Sequence, residues 1–188
     1  MKKPFINRAL KILLSTNAII LMSVAMIGPI YALYVEKVGG DLMEASLAGG
    51  IFALTAGITT LFSGKISDKI KESELIVVIG YFIMGIGFML YTVVDSMIFL
   101  YVVQVIIGLG EAIYSPAFDS VYSKHLDSKQ SGTQWGAWES MNYFTIAAGA
   151  VVGGFLVSLF DFKILFVVMA LMCFGSAIYI YLLPRKLL

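Results

Sequence analysis

Residues 75–94 read LIVVIGYFIMGIGFMLYTVV, twenty consecutive positions without a charged side chain. A helix of that length rises about 30 Å, the thickness of a bilayer's hydrocarbon core. Lys71, Glu72 and Glu74 stand before the run and Asp95 closes it, so polarity returns where lipid would end.

Working outward, five similar runs flank this one. The expected spans are 12–35, 43–62, 75–94, 97–118, 135–160 and 164–183, which makes residues 1–188 a single six-helix transmembrane bundle of the all-α integral membrane class. Hydrophobic residues make up 60% of the chain and charged residues 13%, too little polarity to coat a soluble domain of this size. Mean hydropathy is +0.92. A membrane barrel would alternate apolar and polar residues over short strands, and no such pattern is present. The net charge of +1 argues against a nucleic-acid partner. One cysteine, Cys173, and one histidine, His125, exclude a disulfide framework and a Cys/His metal site, so no metal or cofactor is expected. Cys173 lies in an apolar run and reads as a buried inert thiol. The N-terminal apolar run is too long for a secretory signal and lacks a cleavage pattern.

Positive charge sets the expected orientation. Lys2, Lys3, Arg8 and Lys11 precede the first span; Lys65, Lys69 and Lys71 follow the second; Lys124 and Lys129 follow the fourth; Arg185 and Lys186 follow the sixth. Only Lys37 and Lys163 fall on the other side. The positive-inside rule then puts both termini in the cytoplasm, in a multi-pass protein of the cell membrane.

The loop between the second and third spans reads Gly64-Lys65-Ile66-Ser67-Asp68-Lys69-Ile70-Lys71. It reads as a tight turn in which Gly64 releases the helix and Asp68 caps the next element or meets a neighbouring helix N-terminus. A solvated positive-inside loop explains the same residues. Gly-x-x-x-Asp-Lys at this place, carried by Gly64, Asp68 and Lys69, resembles the loop signature of the major facilitator superfamily. Gln104-x-x-x-Gly108-x-Gly110 in the fourth span resembles that family's Arg-x-x-x-Gly-x-Gly pattern, with glutamine for arginine. Gly149-Ala150-Val151-Val152-Gly153-Gly154 in the fifth resembles its antiporter signature, with Ala150 for proline. Gly28-Pro29 and Ser115-Pro116 also suit the family.

The resemblance covers the whole chain but only the N-terminal half of a twelve-helix fold. It implies a transporter with a small-molecule substrate, a conformational loop at Gly64, Asp68 and Lys69, and close helix packing at Gly108, Gly110, Gly149, Gly153 and Gly154. Gln104 removes an arginine tied in the family to proton coupling, and Ala150 departs from the antiporter pattern. Half a machine needs its other half. A second copy of the chain could supply it, giving a homodimer joined largely through the second and fifth spans.

Two carboxylates stand apart from the acidic residues at span ends. Glu111 and Glu139 are expected about 12 Å and 10 Å inside the fourth and fifth spans, at similar depth. Gln104, Gly108, Glu111, Ser115 and Asp119 form one polar stripe, and Trp135, Glu139, Asn142 and Ile146 another. Charge facing lipid costs at least ~2.5 kcal/mol, so the stripes should face an interior cavity. Neither span carries a lysine or arginine to neutralise the pair. Desolvation and mutual repulsion favour the protonated form, which suits reversible protonation and makes Glu111 and Glu139 proton-coupling candidates. The alternative is an interfacial Glu139 and a Glu111 that only bonds helices together.

Tyr114, Trp135, Trp138 and Tyr143 near the pair could hold a lipophilic cation by their ring faces. Interfacial anchoring is the other reading for Trp135 and Trp138. Asn17, Ser23, Tyr31 and Tyr34 could line a pore or bond helices to one another. Asn17, Tyr31, Gln104, Tyr114, Ser115, Trp138, Asn142 and Tyr143 are therefore the substrate-cavity candidates. The leading expectation is proton-coupled export of small lipophilic or cationic solutes by a homodimer of half-transporters. The alternatives are a uniporter or uptake carrier without proton coupling, and a non-transporting half that needs another chain. No Ser/His pairing, metal cluster or phosphate loop points to an enzyme.

Overall fold

A computed structural model describes residues 6–184 and 187–188. Lys2, Lys3, Arg185 and Lys186, used above for orientation, lie outside the described residues. Among the described residues six helical segments are long and apolar enough to cross a membrane: Arg8–Val38, Leu42–Ser67, Ser73–Tyr91, Met97–Lys124, Ser131–Leu159 and Phe162–Leu182.

Side-chain caps fix where four of them start. Asn7 accepts from the Leu10 N–H at 2.8 Å, Ser96 from Phe99 at 3.4 Å and Asp161 from Phe162 at 2.6 Å. Asp41 and Glu44 form a reciprocal capping box. Gly39, at φ 97°, closes the first span in the left-handed conformation that suits glycine. The third span, expected to reach 94, stops at Tyr91. Thr92 and Val93 turn back onto Met89 and Leu90 through backbone bonds of 3.1 Å, so apolar residues 92–94 form the turn.

The first span is broken. Gly28–Ile30 is a 3-10 turn that separates helix Arg8–Ile27 from helix Tyr31–Val38. Pro29 has no N–H for the helical ladder, which accounts for the break. In the fourth span Pro116 likewise leaves the Ala112 carbonyl without its helical donor. The Ser63 hydroxyl, from the second span, donates to that carbonyl at 2.5 Å. The helix thus continues unbroken to Lys124.

Packing follows an order unlike chain order: second on fourth, fourth on third, third on sixth, sixth on first, first on fifth. Glycines set the closest approaches. A Cβ on Gly80 of the third span would sit 2.7 Å from the Gly110 carbonyl oxygen of the fourth, and one on Gly108 would sit 2.8 Å from that of Phe52 in the second. Gly149 and Gly153 bring the fifth span onto the Met22 and Met26 carbonyls of the first. Gly154 faces open space. Tyr81, Phe118, Tyr122, Phe166 and Met169 fill the core, with the free thiol of Cys173 fully buried beside Ser23. The second and fifth spans each rest chiefly on one neighbour and are the least buried of the six.

The loop after the second span differs from the reading above. Gly64 does not release the helix, which runs on to Ser67. Asp68 is the C-cap of that helix, its N–H bonded to the Gly64 carbonyl at 3.1 Å; the next helix starts without a side-chain cap. Nothing packs against Gly64 to force a turn there, so the ladder continues until Lys69 and Ile70 bond back to Ile66 and Ser67. Lys69 is exposed beside it.

Candidate functional site

A pocket of about 270 Å³ opens between the first, fourth and fifth spans. Its walls are Leu21, Val24, Ala25, Gly28 and Pro29 from the first, Glu111 and Tyr114 from the fourth, and Asn142, Ile146 and Ala150 from the fifth. The break at Pro29 shapes one wall, and the approach of Gly149 to Met22 and Ala25 holds the fifth span against the first. Among the described residues Glu111 is the one carboxyl in the lining, and no basic side chain joins it.

Glu111 sits deeper than the sequence suggested. The fourth helix runs from Met97 to Lys124, so Glu111 is central in it, about 20 Å from either end at 1.5 Å per residue. Glu139 lies about 12 Å from the start of its helix at Ser131. The two carboxyls therefore do not share a depth when measured from adjoining helix ends. Glu139 is exposed and does not line the pocket. The expected pair is a single half-buried carboxyl facing a mostly apolar space, with an amide and a tyrosine on the same wall.

Glu111 and the cavity candidates fall into four groups. Glu111, Tyr114 and Asn142 line the pocket. Asn17 and Trp138 belong to a polar bridge across the bundle: the Trp138 indole N–H donates to Asn17 Oδ1 at 3.1 Å, and Asn17 Nδ2 donates to the Tyr81 hydroxyl at 3.3 Å. Three spans meet there, at an asparagine with almost no exposed surface. Tyr31 accepts from Gln104 Nε2, a tie between the first and fourth spans, and neither residue lines the pocket. Ser115 and Tyr143 also lie outside it, Tyr143 with 68% of its surface exposed.

Trp135 and Trp138 turn toward protein. Their rings meet edge-on at 5.9 Å, and Trp135 packs on Tyr122 at 4.9 Å. Tyr34 donates to the Tyr91 carbonyl at 2.8 Å. Of the residues that make the site, the fifth-span stripe includes Ile146, but sequence reasoning did not assign Leu21, Val24, Ala25, Gly28, Pro29 or Ala150 to it. Leu21, Val24 and Gly28 recur at helical spacing ahead of Pro29, a signal that could have found the first-span wall.

On the face away from the N-terminus, Lys37 pairs with Asp161 and lies 5.6 Å over the Phe162 ring. The Lys37 bond, helped by the Phe162 N–H, holds the Asp161 carboxyl below its ordinary range. Both partners are substantially exposed, so solvent screens the attraction.

The sequence profile described as Major Facilitator Superfamily matches residues 13–187. Among similar proteins, "Uncharacterized MFS-type transporter YitZ" of Bacillus subtilis is 23% identical over 154 residues, covering 82% of this chain and 93% of the relative. "Proton-coupled antiporter flippase LtaA" of Staphylococcus saprophyticus is 29% identical over 142 residues, covering 71% of this chain and 34% of the relative. "Multidrug resistance protein MdtG" of Erwinia billingiae is 22% identical over 175 residues, covering 91% and 42%. The chain thus spans less than half the length of LtaA and MdtG and nearly the whole of YitZ.

Proposed function

The chain belongs to the Major Facilitator Superfamily, whose members are transporters and not enzymes, and on that premise we propose that it exports small lipophilic or cationic solutes by proton-coupled secondary transport. The observation that carries the reading is the pocket between the first, fourth and fifth spans, with one carboxyl at mid-helix and no basic partner. An apolar wall favours a lipophilic body, and a carboxylate favours a positive charge on it. Competition between proton and solute for Glu111 would couple their movements. Tyr114 and Asn142 orient the solute in the pocket.

The working unit is a pair of chains, with a two-fold axis along the membrane normal and the N-terminal side in the cytoplasm. Support comes from the second and fifth spans, each resting chiefly on one neighbour. Positions 49, 50 and 57 on the second span and 154 on the fifth are glycines with open space in front of them, where another helix can approach. A second bundle across the pocket would complete a path near the midplane and allow access to alternate by rocking.

The test is proton flux in proteoliposomes that contain only this chain, against a panel of lipophilic cations, for wild type and Glu111→Gln. Solute-driven proton release that is lost in Glu111→Gln supports the reading. Unchanged pH-driven transport in Glu111→Gln refutes the role of Glu111 in coupling, whereas wild-type solute flux with no accompanying proton movement favours a uniporter, the reading that Gln104 at the arginine position also supports. No flux from the purified chain, or full flux from a strictly monomeric species in nanodiscs, refutes the homodimer.

A further inference from the structure

We propose that the groove between the first and sixth spans, at the N-terminal end of the bundle, binds an anionic glycerophospholipid of that leaflet. The groove holds about 660 Å³ and lies on the outer face of the bundle, apart from the pocket around Glu111. Among the described residues Lys11 is its one charged lining residue, and no carboxylate among them stands in it. Lys11 lies about 5 Å along the helix from Arg8, where its ammonium can reach the headgroup layer while its stem follows apolar surface.

One turn deeper the walls carry hydroxyls. Ser15 donates to the Lys11 carbonyl at 2.8 Å, and Thr16 to that of Ile12 at 2.9 Å, so both are satisfied within their helix. Ser176, on the opposite wall, is not. Only 3% of its surface is exposed, and its hydroxyl has no hydrogen-bond partner among the described residues. A buried hydroxyl without an acceptor is costly and calls for one. Ser176 lies about 9 Å from its helix end at Leu182 and Lys11 about 5 Å from its own at Arg8, a difference of about 4 Å when each is measured from its own helix end. That is the step from a lipid phosphate to its ester carbonyls, which accept hydrogen bonds and donate none.

Below this level Ile19, Leu171 and Met172 continue the groove as an apolar track for an acyl chain. Gly175 opens the wall beside Ser176: a Cβ built there meets nothing within 4 Å. Phosphate against ammonium, ester carbonyl against hydroxyl and acyl chain against the apolar track match in order from surface to interior. A lysine with no carboxylate beside it among the described residues favours an anionic headgroup, since a zwitterionic one would bring its own cation beside Lys11. Binding at this groove stands whether or not the chain transports.

The experiment is native mass spectrometry of the full chain in mild detergent, titrated separately with phosphatidylglycerol and phosphatidylcholine. Phosphatidylglycerol is expected to bind more tightly, and Lys11→Gln to weaken it about fivefold, the effect of one lysine near a charged lipid surface. Gly175→Leu fills the groove and is expected to abolish binding of both lipids. Its helical content and melting in lipid-free detergent should match wild type, because the added atoms enter open space. Equal affinity for the two lipids overturns the proposal, as does unchanged phosphatidylglycerol binding in either variant. Oleate that competes as well as phosphatidylglycerol would also overturn it.

Discussion

Removing the Ser63 hydroxyl should expose what Pro116 costs the fourth helix. Proline at 116 withdraws the donor that would serve the Ala112 carbonyl, and Ser63 of the second span replaces it across the helix interface. In Ser63→Ala that carbonyl is buried among apolar neighbours with no water to accept from. An orphaned buried acceptor costs about 1–3 kcal/mol, while side-chain bonds between membrane helices average about 0.6 and reach about 1.7 kcal/mol. The two ranges overlap at about 1–2 kcal/mol, the loss expected for Ser63→Ala. In a Pro116→Ala background the alanine N–H can serve Ala112 from within the helix, and Ser63→Ala should then cost under about 0.5 kcal/mol. Equilibrium unfolding in mixed micelles, followed by the fluorescence of Trp135 and Trp138, gives all four corners of the cycle. Ser63→Ala costing the same in both backgrounds would refute the compensation.

Asn17→Ala should cost more than Trp138→Phe, by about 1 kcal/mol in the same unfolding assay, because it strands both the indole N–H and the Tyr81 hydroxyl. Gly153→Ala drives a Cβ into the Met26 backbone and should destabilise the bundle or shift the fifth span, whereas Gly154→Ala meets open space and should leave unfolding within about 0.5 kcal/mol of wild type. The Lys37–Asp161 tie has a defined pH window. Its carboxyl is held below its ordinary range in the folded chain, so the tie contributes above the ordinary aspartate range and is lost as pH falls through the depressed folded value. Stability measured between pH 6 and pH 2 should fall more in wild type than in Asp161→Asn, by a small margin given the exposure of both groups. Equal slopes would deny the pair any role.

Span number and approximate position were legible because hydrophobic length is a one-dimensional property. Helix ends were less so. The hydropathy of residues 92–94 continues the third span, yet the backbone turns at Thr92, a choice made by local bonds that composition does not record. The loop motif misled for a related reason: Gly64 permits a break without requiring one, and the neighbours needed to force it are absent. At the site, Glu111 stood out because a carboxyl in an apolar run is costly wherever it points. Its expected companion did not join it, since a small error in where two helices begin becomes several ångströms of depth. Asn17 and Trp138 could not be sorted from cavity residues by type, because bonding between helices and lining a cavity use the same side chains. Tyr81 and Asn17 had to be placed together in space before the difference showed.

The order in which the helices pack bears on how the chain is made. A ribosome delivers the six segments in sequence, but the nascent second segment finds its main partner only when the fourth arrives, and the first waits for the fifth and sixth. Hairpins that enter the membrane together are therefore mostly not the pairs that stay together. Until the sixth segment arrives, the second, third and fourth form one closely packed cluster and the first and fifth another, joined by helix Tyr31–Val38 against the second span and by the Asn17–Tyr81 and Tyr34–Tyr91 bonds. The sixth joins them by packing on both the third and the first. Assembly of these six spans is thus completed only by the sixth, and without residues from 162 on the two clusters lack the helix that packs on both.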